Sequence, residues 1–204
     1  MSMAYDFGDF LGRSTDKELG DTTLALVLGA LPSLTSSGPW VAGGAVRRTL
    51  LGQEPDSDFD FFFRDAEQLN EFKAGIEALG FALFRESEHH FHYRGYLPGG
   101  QLMRDVQLIR FAYYGSAAEV IDSFDFTICQ AAFDGTTLTV GDFTLWDLGR
   151  KRLAVHRITF PVSSMRRVLK YTRQGFYACN GALNSLLRAT ADNPELRTDI
   201  AYVD

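Results

Sequence analysis

The sequence predicts an α+β fold, a mixed or antiparallel sheet flanked by helices with a small helical extension toward the C-terminal end. Three observations point there. Helix-period and strand-period segments follow one another as helix, strand, helix, a run of strands and then helices, an order unlike regular βαβ alternation. Two strand-like runs are joined by Leu97-Pro98-Gly99-Gly100, a strong hairpin signal. The 204 residues show no internal repeat and no low-complexity linker, so one domain with a small appendage is expected.

Residues 16–31 (DKELGDTTLALVLGAL) read as a helix closed by the turn formers of LPSLTSSGP. Trp40 to Ala42 is a short buried strand entering Gly43-Gly44. Ala45 to Leu51 suits a short helix that breaks at Gly52. Asp58 to Phe63 is a strand by alternation and aromatic content. Asp65 to Leu79 is an amphipathic helix with Asp65 as its N-cap, Leu69, Phe72, Ile76 and Leu79 on one face, and Gly80 as its stop. Strands are expected at Phe81–Arg85, His89–Tyr96, Leu102–Phe111 and Thr137–Val140, with a short helix over Ala117–Asp122 and a buried element over Phe126–Phe133. Ser164 to Tyr177 is a basic amphipathic helix, and Gly181 to Ala191 is a second one.

At 46% hydrophobic and 23% charged residues, the chain can build an ordinary globular core. Its longest apolar stretch, Leu24 to Leu31, is far too short for a membrane span, and MSMAYDFGDF lacks the basic and apolar regions of a secretion signal. Cys129 and Cys179 are expected as small buried residues in a reducing compartment, which places the protein in the cytosol. The net charge of −6 argues against a general nucleic-acid coat. Yet from Leu148 to Ala191 there is no Asp or Glu and there are nine Lys and Arg, leaving −15 on the rest of the chain. That segregation is either a footprint for a phosphate-bearing partner or a solvated basic face.

The chemistry concentrates in GGAVRRTLLGQEPDSDFDFFF, residues 43–63. On a strand, Asp58, Asp60 and Phe62 share one side while Phe59, Phe61 and Phe63 share the other. The phenylalanine side packs against helices, so two carboxylates about 7 Å apart look into a cleft. Unpaired, they would repel; a divalent cation bridging them to substrate phosphates removes that cost. Asp105, in the strand-like run 102–109, is the natural third carboxylate, with a salt bridge to Arg104 or Arg110 as its competing role. An edge strand charged against aggregation is the competing role for Asp58 and Asp60. Gly43-Gly44 ahead of a helix lets backbone approach a triphosphate, and Arg47 or Arg48 can clamp its oxygens. In His89-His90-Phe91-His92-Tyr93 only His90 and His92 share a face, no Cys lies nearby, and no third ligand has zinc-like spacing, so the run reads first as a polar strand face, with substrate contact and then a transition-metal site as its competing roles.

Gly43-Gly44-Ala45-Val46-Arg47, Leu50-Leu51-Gly52 and Asp58-Phe59-Asp60 resemble the GGxVRDxLLG…DxD signature of DNA-polymerase-β-type nucleotidyltransferases, nearest to the head domain of class II CCA-adding enzymes and bacterial poly(A) polymerases. Arg48 stands where that family has Asp, and the gap to DxD is one residue longer. Asp125-Phe126-Thr127-Ile128 with Ala131-Ala132-Phe133-Asp134 is similar to the RRDFTINAMAYD stretch, with Ser123-Phe124 in place of its arginines. Arg167-Val168-Leu169-Lys170-Tyr171 with Gly175-Phe176 is similar to the LRAxRFAxxLGF helix that opens the neck. The match spans roughly residues 38–190. The EDxxR motif that reads the incoming base is missing.

The resemblance implies a palm over residues 1–160 and a neck-like helical extension over 161–204. It implies Mg²⁺ (or Mn²⁺) held by Asp58, Asp60 and Asp105, and a triphosphate cradled by Gly43, Gly44, Arg47 and Arg48. Nucleotide or RNA contacts would come from Asp125, Arg166, Arg167, Lys170 and Arg173, with an anchor of the hinge between palm and helical extension, or an internal cap, as the competing roles of Asp125. The expected reaction moves an NMP from a nucleoside triphosphate to an acceptor hydroxyl at an RNA 3′ end, with no membrane involved. The alternatives are nucleotidylation of a protein, as in some toxin–antitoxin systems, and a non-catalytic nucleotide or RNA binder on the same fold.

Overall fold

The computed structural model describes residues 2–6, 24–100 and 103–192. Contacts divide the chain into two units, one formed by residues 1–122 and 129–142, the other by residues 123–128 and 143–204.

The first unit is built on an eight-stranded mixed sheet, as the α+β reading expects. Its strands are β1 (Ser2–Asp6), β2 (Trp40–Ala42), β3 (Phe59–Phe62), β4 (Ala82–Glu86), β5 (His90–Tyr96), β6 (Met103–Ile109), β7 (Ala131–Phe133) and β8 (Thr137–Gly141). Their order is β1-β8-β7-β2-β3-β6-β5-β4, and every neighbouring pair is antiparallel except β3–β6, which is parallel. One row of paired positions crosses all eight strands: Ala4, Thr139, Ala132, Ala42, Asp60, Gln107, His92 and Arg85. Small residues fill one end of this row and polar ones the other.

The opposite face carries the core. Val41, Phe59, Phe61, Tyr93, Val106 and Leu108 are fully buried there, in a cluster with Leu24 and Val27 of α1 (Leu24–Ala30) and Ala45 and Val46 of α2 (Gly44–Leu50). Helix α3 (Ala66–Ala78) adds Leu69, Phe72 and Ile76, and the Phe72 ring stacks tilted on Phe61 with centroids 4.6 Å apart. Asp65 caps α3, its carboxylate accepting from Gln68 N at 2.8 Å, and Gly80, at φ 89°, ends it. Burying a ring such as Phe72 contributes about 1.5–3 kcal/mol, so this face holds most of the unit together. Helix α4 (Ala117–Asp122) completes the unit.

The second unit comprises α5 (Thr144–Gly149), the parallel pair β9 (Arg152–Leu153) and β10 (Tyr177–Ala178), α6 (Pro161–Arg173) and α7 (Asn180–Ala191). Tyr171 packs edge-on against Phe126 and Phe176. Asp147, fully buried, accepts from Thr127 Oγ1 at 2.6 Å and from Arg152 Nε at 2.5 Å, and that bond raises the pKa of Arg152.

Several expectations shift. Residues 16–23 of the first expected helix and residue 102 of an expected strand lie outside the described residues, as do residues 193–204. Helix α6 starts at Pro161 rather than Ser164, because proline suits the first helical turn, and ends at Arg173 because Gly175 turns to φ 85°. Phe126 to Phe133 holds a 3₁₀ turn and β7 rather than one element. Strand β1 and helix α5 carried no periodicity that announced them. Cys129 is buried as expected; Cys179 is only half-buried and caps α7, its sulfur accepting from Ala182 N. Among the described residues, no helix is long and apolar enough to cross a membrane.

Candidate active site

Strand β3 lies inside the sheet, between β2 and β6, which removes the edge-strand reading of its aspartates. In the parallel β3–β6 register, Phe59 pairs with Val106 and Asp60 with Gln107, so one step back Asp58 comes beside Asp105. The antiparallel β5–β6 register then sets His92 opposite Gln107 and Arg94 opposite Asp105. Alternation puts all these polar side chains on the face away from the phenylalanine core.

The side chains interlock. Gln107 Nε2 donates to Asp58 Oδ2 at 2.5 Å, and Arg94 Nε donates to Asp105 Oδ1 at 2.8 Å. His92 Nε2 lies 2.5 Å from that same Asp105 oxygen. One ligand atom from each of Asp58, His92 and Asp105 falls within 4.8 Å of the other two. Asp60, on the same face and half-buried, is not a member of this group. Two carboxylates and an imidazole, converging from β6, β5 and the residue that leads into β3, and partly open to solvent, form a donor set that fits a divalent cation.

The local electrostatics suit an anionic centre. Burial by itself raises the Asp105 pKa, but hydrogen bonds from Arg94 and His92 outweigh it and hold the carboxyl below its ordinary value. His90 is pushed the other way: burial first, then the charges of His92 and Arg85, lower its pKa. The ion-pair partner of Asp105 is Arg94, not Arg104 or Arg110. Arg110 pairs with Glu86 at 2.8 Å, and Arg104 is buried with Nη2 4.0 Å from Glu54.

The glycine pair sits where β2 passes into α2. Gly43 takes φ 80°, and a Cβ at Gly44 would stand 2.8 Å from Ser57 Oγ, so the pair lets α2 close onto the residue preceding Asp58. Arg47 is only 3% exposed, its Nη1 3.6 Å from Cys129 Sγ. Arg48 donates from Nε to the Glu54 carbonyl at 2.8 Å and pairs with Asp56 at 2.8 Å.

In the second unit, Asp125 is 3% exposed and accepts from Ser164 Oγ and Arg167 Nη1, both at 2.6 Å, while its carbonyl accepts from His156 N at 2.7 Å. It thereby fastens α6. Arg166, Lys170 and Arg173, with Leu169 and Gln174, line a surface cavity of about 470 Å³ along that helix.

The sequence reading placed His92 on a polar strand face and gave no role to Arg94 or Gln107. Their signal was available in the Pro-Gly-Gly hairpin, whose closing pair Tyr96–Met103 fixes every partner upstream.

The sequence pattern of the Gabija anti-defense 2 family matches residues 2–151. A protein described as Gabija anti-defense 2, from Bacillus phage SPbetaL7, is 27% identical over 135 residues, covering 65% of this chain and 32% of the relative. The chain thus spans about a third of that relative's length. Among solved structures, a CCA-adding enzyme complexed with CTP superposes with a TM-score of 0.65 at 21% identity, over 97% of this chain and 49% of the other. The Thermotoga maritima CCA-adding enzyme complexed with tRNA does so with 0.63 at 22% identity, over 97% and 50%. At such identities the likeness is one of fold, and the fold is nucleotidyltransferase-like.

Proposed function

The chain belongs to the Gabija anti-defense 2 family, and from that premise we propose that it is a metal-dependent nucleotidyltransferase. It moves an NMP from a nucleoside triphosphate to an acceptor hydroxyl and releases pyrophosphate. One observation supports this above the others: the parallel β3–β6 pair sets Asp58 beside Asp105, with ligand atoms close enough to share one ion.

Asp58 and Asp105, with Asp60 on the same face, are the residues that would hold Mg²⁺ or Mn²⁺. When bound, the ion neutralises triphosphate charge and acidifies the acceptor hydroxyl. The residues of the chain do the positioning. Gln107 and Arg94 orient the two carboxylates, each through one hydrogen bond. Gly43 and Gly44 turn the backbone toward the phosphates, Arg48 contacts them, and buried Arg47 adds a fixed positive charge. The acceptor oxygen attacks the α-phosphorus, the bond to the β-phosphate breaks, pyrophosphate leaves, and the hydroxyl proton passes to water.

The acceptor is an RNA 3′ end. The basic α6, with Arg166, Lys170 and Arg173 along one cavity, and the tRNA held by a protein of the same fold support that choice. A second reading, favoured by the family's anti-defense description, puts the acceptor hydroxyl on a protein of the Gabija defense.

The test incubates the protein with α-³²P-labelled ATP or CTP, a divalent cation, and either total RNA or cell lysate. Wild type should label RNA and the Asp58→Asn/Asp60→Asn variant should not. Label that resists nuclease and yields to protease selects the protein acceptor. No label from wild type with either acceptor defeats the enzyme and leaves a nucleotide or RNA binder.

A further inference from the structure

We propose that His92 is a ligand of the bound cation, making the site a mixed carboxylate–imidazole centre that prefers Mn²⁺ or a neighbouring first-row ion over Mg²⁺. The inference rests on the metal-dependent reading above and specifies its metal chemistry.

Geometry comes first. Asp58, His92 and Asp105 each present one ligand atom within 4.8 Å of the others. Ligands on one six-coordinate ion stand about 3 Å apart when adjacent and about 4.2 Å apart when opposite, given bonds of about 2.1 Å. The three donors therefore need only small movements to embrace a single ion. His92 already faces inward: its side chain is 13% exposed, and its Nε2 rather than its ring edge approaches Asp105. Phe84 meets the imidazole edge-on at 5.1 Å between centroids and limits its rotation.

Each carboxylate also has a partner of its own. Arg94 bonds Asp105 Oδ1 and Gln107 bonds Asp58 Oδ2, the outer hydrogen bonds that orient ligands around a metal. Because Arg94 already orients Asp105, a hydrogen bond from His92 is not needed for that purpose. Asp60, the second residue of the DxD motif, lies outside the group of three. A nitrogen donor in place of an oxygen changes which ions bind well. Mg²⁺ is hard and takes oxygen ligands, whereas imidazole suits first-row transition ions. The alternative is that His92 merely positions Asp105 through the 2.5 Å contact and never touches the ion.

Pulsed electron paramagnetic resonance on the protein with Mn²⁺ alone, without nucleotide, separates the two. A ligating imidazole modulates the bound Mn²⁺ signal through its ¹⁴N nucleus. Wild type should show that modulation and His92→Gln should not, since glutamine keeps a hydrogen bond to Asp105 without an imidazole. The variant should bind Mn²⁺ about 10–100-fold more weakly, with Mg²⁺ affinity by competition changed far less and an unaltered melting curve. Bound Mn²⁺ lacking ¹⁴N modulation in wild type overturns the proposal, as does modulation that persists in His92→Gln. Equal nucleotide transfer by wild type and His92→Gln at limiting Mn²⁺ sinks the imidazole ligand while leaving the enzyme. Nitrogen coupling without transfer to any acceptor sinks the enzyme while leaving the ligand.

Discussion

Gln107 on β6 donates its side-chain amide to the Asp58 carboxylate at 2.5 Å, across 49 residues of sequence. The contact joins the two strands at the polar end of the sheet and aims one carboxylate oxygen. Removing it leaves Asp58 charged and present but free to turn. Gln107→Ala should therefore lower nucleotide transfer about 10–100-fold with an unchanged melting curve, whereas Asp58→Asn should abolish transfer. Equal activity of Gln107→Ala and wild type in steady-state assays would remove Gln107 from the site's support.

The glycine pair admits a packing test. A Cβ at Gly44 would meet Ser57 Oγ at 2.8 Å and Ser57 Cβ at 3.2 Å, and that hydroxyl is itself buried with no hydrogen-bond partner among the described residues. Gly44→Ala should cost about 1–3 kcal/mol from overpacking, and Ser57→Ala in the same chain should restore much of it. Urea unfolding of the two single variants and the double variant measures the coupling; additive costs would mean that the two residues do not crowd each other.

Asp125 was a candidate RNA contact by resemblance, yet its carboxylate is buried under Ser164 and Arg167. Asp125→Ala should destabilise the second unit by about 3 kcal/mol, the bottom of the range for breaking a buried charged pair, because Arg167 is half-exposed and can turn to water. Thermal unfolding checks this, and a variant as stable as wild type would return Asp125 to the list of contact residues.

If α6 guides RNA, its charges act on phosphates. Replacing Arg166, Lys170 and Arg173 together by alanine should weaken RNA binding and flatten the plot of log affinity against log salt by about 2–3. An unchanged slope in filter-binding titrations would assign these residues to a solvated face.

Tyr93 gives a pH signature at the alkaline end. It is fully buried and donates to Glu77 Oε1 at 2.6 Å; burial first, and then that bond, push its pKa above the ordinary value. A raised folded pKa means that the stabilisation is whole below the unfolded value of about 10 and fades as pH climbs through the folded one. Tyr93→Phe should cost about 0.5–1.5 kcal/mol at neutral pH and blunt the loss of stability above pH ~10. Parallel decline of both proteins in alkaline unfolding would contradict this.

Much of the fold was legible because its signals are local. The alternation of Asp58 to Phe63, the Asp65 cap with its face of Leu69, Phe72 and Ile76, and the Pro-Gly-Gly turn each declare an element within a few residues. Pairing is a different matter. That Asp105 answers to Arg94 rather than to its chain neighbours Arg104 and Arg110 follows from the β5–β6 register, which no short window contains. His92 was read as part of a polar strand face, where it does lie; within its own strand it is one of several histidines, and only the neighbouring strands bring it to two carboxylates. Arg47 looked like a phosphate clamp beside Arg48, but the turn of α2 carries it inward to Cys129.

The one parallel pairing among the sheet's neighbours also makes the site a long-range feature of the chain. Parallel strands cannot be joined by a tight turn, and the segment between β3 and β6, which carries α3, β4 and β5, is closed into a loop when β6 lies along β3. Until that closure, Asp58 and Asp105 are distant charges on a loose chain and feel almost nothing of each other. Their mutual repulsion therefore arises only once β6 lies along β3, in a sheet whose other face is packed with hydrophobic side chains.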